Sequence, residues 1–148
     1  MKKIWALIFV LVLTFSLAGC GGNKTGGANN SAAGGVTLAG MKQAAADKGY
    51  KISDGYIKYN DKIVGGFTVD YPNGTNEYMA PVLEFDSPVS AAAYAKTVNE
   101  AGYNVCVVNG KYLTMVAAEK GTAKDPDEQT FFANLLNGRD LGAAPTYS

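Results

Sequence analysis

The sequence predicts an α+β domain. Its sheet is mostly antiparallel and five-stranded, about three helices pack largely on one face, and the order is α-β-β-β-α-β-β-α. Three observations carry this. Apolar residues recur at helical spacing in three segments, each behind a capping residue. The stretches between them alternate at the two-residue period of a strand. Asn-Gly pairs fall where those strands would turn.

Thr37 is placed to cap a helix that puts Leu38, Met41, Ala44 and Ala45 on one face and ends at Gly49. Residues 50–59 follow as a first strand, broken by Asp54-Gly55. Ile63, Phe67, Val69 and Tyr71 alternate with Val64, Thr68 and Asp70 in a second, where Gly65-Gly66 marks a bulge or sharp twist. Asn73-Gly74 then turns the chain into a third strand, Tyr78 to Phe85, and Pro81 within it suggests an edge position or a bulge. Ser87-Pro88 opens the second helix, with Ala91, Tyr94, Ala95, Val98 and Ala101 as its apolar face and Gly102 as its stop.

Residues 103–108 and 111–118 flank Asn109-Gly110 as a hairpin. Apolar on both faces, Val105 to Val108 reads as a central strand. The strand-helix-strand passage from residue 78 to residue 108 predicts a right-handed crossover that makes its two strands parallel or nearly neighbouring. Asp125-Pro126-Asp127-Glu128 starts the third helix, whose buried stripe is Phe131, Phe132, Leu135 and Leu136 and whose stop is Gly138.

Composition bounds the rest. The 148 residues include 47% apolar and sixteen aromatic residues (nine Tyr, six Phe and Trp5), enough for one ordinary core. Setting aside Lys2 and Lys3, eleven basic residues face thirteen acidic ones. They are scattered, so no basic patch suits a phosphate backbone, and nucleic acid is not an expected partner. Histidine is absent, which removes Ser-His and Cys-His catalysis and the commonest neutral metal ligand.

The first residues read MKKIWALIFVLVLTFSLAGC. A basic start, a short apolar stretch and small residues form an export signal, too short to span a bilayer comfortably. Within it, Leu17-Ala18-Gly19-Cys20 resembles the lipobox of bacterial lipoproteins. The resemblance implies cleavage before Cys20 and a diacylglyceryl thioether on its sulfur, which anchors the chain to the extracytoplasmic face of the cell membrane. Two acyl chains suffice where one is marginal, because each buried CH₂ contributes about 0.8 kcal/mol. The rest of the chain loosely resembles small lipoproteins of Gram-positive bacteria, a likeness that transfers no site residues.

The expected organisation is a signal peptide over 1–19, a lipidated cysteine with a flexible Gly/Asn/Ser linker over 20–36, one α+β domain over 37–141 and a tail over 142–148. Cys106, in an apolar run with no basic neighbour, reads as a small buried hydrophobe rather than a reactive thiol.

Candidate sites are few. Asp125, Asp127 and Glu128 lack the alternating ligands of a calcium loop and are accounted for by helix capping. Glu84 and Asp86 read as a solvated strand end rather than a catalytic pair. Tyr56, Tyr59, Tyr71 and Tyr78 are the candidates for ligand binding, as an aromatic face for sugar or peptide. No metal and no cofactor is expected. The sequence points to a non-enzymatic binding or interaction module of the cell envelope, its partner a protein, peptide or polysaccharide. The alternatives are a carboxylate-based envelope enzyme acting on glycans and a small-ligand carrier.

Overall fold

Three side chains set the three helix starts. In the computed structural model, which describes residues 35–72 and 80–147, Thr37 Oγ1 accepts from the amide of Gly40, Ser87 Oγ from that of Ser90, and Asp125 from those of Asp127 and Glu128. Each satisfies amides that a first helical turn leaves without a partner, and Pro88 and Pro126 occupy positions where no amide is needed. The leader, Cys20, the linker up to residue 34, the Asn73-Gly74 turn and Tyr78 lie outside the described residues.

The elements are α1 (Leu38–Asp47), β1 (Lys51–Ser53), β2 (Ile63–Asp70), β3 (Ala80–Phe85), α2 (Pro88–Ala101), β4 (Asn104–Asn109), β5 (Tyr112–Glu119), β6 (Thr122–Ala123) and α3 (Pro126–Leu136). The sheet runs β1-β2-β3-β5-β4, every neighbouring pair antiparallel, and the two-residue β6 folds back on the end of β5. The α+β class and the element order are those expected, with β6 as an added hairpin arm. Lys120 (φ 52°) and Gly121 (φ 79°) form its two-residue turn, both in the left-handed region that a type I′ turn requires.

Two of the helices lie together. Met41 and Ala45 of α1 and Phe131, Phe132, Leu135 and Leu136 of α3 form one core with Phe67, Val69, Val82 and Val116 of the sheet. Ala91 and Ala95 of α2 pack on the opposite face with Ile63, Leu83, Phe85 and Leu113. Burial of a large apolar side chain contributes about 1.5–3 kcal/mol, so the clustered Phe and Leu side chains dominate both cores.

The crossover through α2 leaves β3 and β4 parallel, with β5 inserted antiparallel between them. β4 is therefore an edge strand, not a central one. Its apolar character on both faces has another cause: α2 lies over one side and α3 over the other. Pro81, by contrast, belongs to a central strand. It pairs with Thr68 of β2, but the ladder from β3 to β5 begins only at Val82, and the Pro81 carbonyl accepts from Thr114 Oγ1 at 2.7 Å. Locally, Pro81 meets the edge condition that its missing amide demands.

The expected bulge falls just before Gly65-Gly66: the register with β3 shifts between Ile63 and Gly65, which makes Val64 the extra residue. A Cβ on Gly66 would stand 2.8 Å from Cγ of Tyr56 and 2.9 Å from the Val82 carbonyl oxygen, so glycine is required there.

The strand expected over 50–59 shrinks to Lys51–Ser53. Ser53 Oγ takes the amide of Gly55, Asp54 pairs with Lys42, and the chain leaves the sheet with Tyr56, Ile57 and Tyr59 exposed. The β4–β5 turn also falls one residue later than Asn-Gly implies. Asn109 pairs with Tyr112 as the last strand residue, and Gly110 (φ 57°) with Lys111 makes the turn.

Candidate functional site

The α1/α3 face carries an aromatic wall. Tyr71 extends the inward rhythm of Phe67 and Val69 just past the end of β2. Its ring lies near-parallel to that of Tyr50, with centroids 6.2 Å apart, and tilted to Phe131 at 5.3 Å, while Tyr50 and Phe131 meet at 4.4 Å. Tyr50 and Phe131 are buried and Tyr71 is half-buried, so the first two back the ring that reaches the surface. In front of this wall lies a groove of about 620 Å³. One bank is α3, with Asp127, Thr130 and Asn134 on successive turns; the other is the chain after Asp140.

That second bank is the stretch expected as a tail, and it packs back on the domain. The Tyr147 hydroxyl donates to the Asp70 carbonyl at 2.7 Å and accepts from the Lys51 amide at 2.9 Å. Lys51 and Asp70 are the outermost partners of the β1–β2 ladder, so the hydroxyl bridges the end of that pairing. The Lys51 ammonium sits 4.2 Å from the Tyr147 ring centroid. Asp140 approaches Lys48 at 3.6 Å, and the Pro145 ring lies beside Gly49 (φ 96°) at the turn out of α1. The strap is thus fastened at both ends, with the groove beneath it.

The tyrosine candidates divide between the two faces. Tyr71 belongs to the groove. Tyr56 and Tyr59 sit in the 54–60 loop on the α2 side, where Tyr59 stacks on Tyr94 at 6.3 Å and Tyr94 meets Phe85 at 5.4 Å. The described three therefore do not form one platform. Tyr50, Phe131 and the strap are the groove residues that sequence reasoning missed. The available signal was the Pro145 and Tyr147 pair, two residues with stiff or bulky side chains in a stretch assigned to a tail.

Most of the carboxylates are engaged. Glu84 meets Lys111 at 2.6 Å, and this hydrogen bond raises the Lys111 pKa. Asp86 approaches Lys62 at 3.4 Å, and hydrogen bonding from Ser90 above all, with Ser87 and Lys62, holds it below the usual range. Asp125 is spent on the α3 cap, and Glu128 is buried beneath the first turn. Among the described residues, no three His, Cys, Asp or Glu groups are placed to hold a metal ion.

Comparison with known protein families, with curated proteins and with solved structures returns no match.

Cys106 lies on the α2 side against Tyr94 and Met115, its amide donating to Asn99 Oδ1 at 2.8 Å. Burial pushes its thiol up to about 11, which disfavours the reactive thiolate at neutral pH. Burial likewise raises Tyr50, Tyr71 and Tyr94, each with help from neighbouring acidic groups: Tyr147 for the first, the carboxylates of Asp125, Asp127 and Glu128 for the second, Tyr59 and Cys106 for the third.

All four groups bind their proton more tightly folded than unfolded. Their contribution is fully present below the unfolded values, 9.0 for the thiol and 10.0 for the phenols, and is lost as pH rises through the folded ones. Thermal unfolding between pH 7 and 11 should therefore show a melting temperature insensitive to these groups up to about pH 9 and falling steadily above it. A melting temperature that holds or climbs from pH 9 to 11 would contradict the burial of these side chains.

Proposed function

We propose that this chain is a lipid-anchored, extracytoplasmic binding module that captures a component of the cell envelope in the groove beneath its C-terminal strap. The observation that carries the binding reading is the groove itself: a ring at the surface, Tyr71, stiffened from behind by Tyr50 and Phe131 and flanked by polar side chains of α3. Its volume falls within the roughly 300–1,000 Å³ of small-ligand sites. The anchoring half rests on Leu17-Ala18-Gly19-Cys20 and on the export signal before it.

A binding role suits the chemistry better than a catalytic one. Glu84 and Asp86 are each tied to a lysine, and among the described residues the groove's lining holds no nucleophile beside a base. An aromatic wall with hydroxyl, amide and carboxylate groups along its banks instead offers stacking and orientation.

The full-length chain, purified in detergent, is to be mixed with isolated cell-wall material and with native membrane extract. Saturable retention by one of them is expected, reduced about tenfold or more by Ala143→Trp, which fills the groove from the exposed strap. Retention untouched by Ala143→Trp would place binding elsewhere, and no retention by either material would sink the binding reading. Anchoring has its own test. Cys20→Ala should leave the protein unprocessed or released from membranes, and a processed, membrane-bound Cys20→Ala protein would refute the lipid.

A further inference from the structure

The charges around the groove are one-sided. Among the described residues, Asp127 and Asp140 line it and no lysine or arginine does. Asp140 has Lys48 nearby at 3.6 Å, but Asp127 makes no ion pair among the described residues. Nor is the Asp127 carboxylate consumed by helix capping, because Asp125 is the side chain that accepts the first-turn amides. The negative field reaches the aromatic wall: besides burial, Asp125, Asp127 and Glu128 all hold the Tyr71 hydroxyl in its protonated form.

This rests on the groove being a ligand site, and it narrows what the ligand is. Phosphates, carboxylates and anionic lipid headgroups would meet Asp127, which has no compensating cation among the described residues. A neutral sugar would stack on Tyr71 and donate a hydroxyl to Asp127, yet it would leave that carboxylate without a counter-charge. An ammonium group gains from both, ion-pairing with Asp127 and lying near the electron-rich face of a ring that Tyr50 and Phe131 hold in place. We infer that the groove takes a primary ammonium on a flexible chain, of the kind a lysine-type side chain presents in a peptide. Asp127 would receive the charge and Tyr71 the methylene stem and the ammonium edge.

The test uses the full-length chain in detergent micelles, with backbone amide signals followed by NMR. The probes are Nα-acetyl-lysine methylamide and the same molecule acetylated on its side-chain nitrogen. The charged probe should shift the amides of Thr130 to Asn134 and Gly142 to Ala144 saturably, and the neutral one should not. Asp127→Asn, a change at an exposed first-turn position, should weaken the charged probe about two- to fivefold, while Asp61→Asn outside the groove should leave it unchanged.

Equal shifts with both probes would overturn the ammonium while leaving the groove a ligand site. Shifts scattered over the acidic surface, indifference to Asp127→Asn, or no response at all would overturn it too. Cell-wall retention sensitive to Ala143→Trp is decided separately, so the two failures are distinguishable.

Discussion

Val82 and Leu83 are neighbours in β3, face opposite sides of the sheet and are both fully buried. Successive side chains of a strand alternate between faces, so a strand buried at both must lie in a sheet covered twice. That requirement organises the molecule. α3, with α1 beside it, closes the face under Val82, and α2 closes the one under Leu83. The crossover through α2 carries the chain past β5's place to the far edge, leaving a slot that β5 fills from the hairpin at Gly110. Asn109 then fixes that hairpin to the first face by donating from its side chain to the Leu136 carbonyl at the end of α3, at 2.7 Å.

The groove arises where this cover runs out. β1 is only three residues long, so the sheet is narrow beside Tyr50 and Tyr71, and α3 alone does not span it. The strap completes the wall from outside the regular elements. Its hold is polar and specific: one hydroxyl, from Tyr147, takes a donor and an acceptor of the main chain at the sheet's edge.

Features that depend on neighbours in sequence were legible. Thr37, Ser87-Pro88 and Asp125-Pro126 announce helix starts because a cap bonds within three residues of itself, and Gly102 and Gly138 announce stops because a left-handed residue ends the helix locally. Gly65-Gly66 marked the bulge for the same reason. Strand position was not legible in this way. Val105 to Val108 is apolar on both sides whether a strand is central or an edge sandwiched between helices, and only the path of the crossover distinguishes them. Asn109 carried a turn signal, but its side chain had a tertiary use that outweighed it.

The candidate site was half visible. Tyr71 could be chosen from its place in an alternating strand, whereas its partners come from residues 50, 131 and 140–146, far apart in the chain. Tyr56 and Tyr59 looked equivalent to Tyr71 because composition does not record which face a loop lies on. The strap was hidden for a related reason: its order comes from a few long-range contacts, chiefly the Tyr147 hydroxyl and the Lys48–Asp140 pair, with no periodicity to betray them.

Amide hydrogen exchange on the full-length chain, read residue by residue, tests the two-sided cover most directly. The amides of Val82, Leu83 and Leu113 should exchange slowest and together, at the rate of global unfolding, because no local opening can expose strands closed on both faces. If β3 instead exchanged faster than the edge strands β1 and β4, or Leu83 exchanged apart from Val82, the centre of the sheet would not be where this architecture puts it.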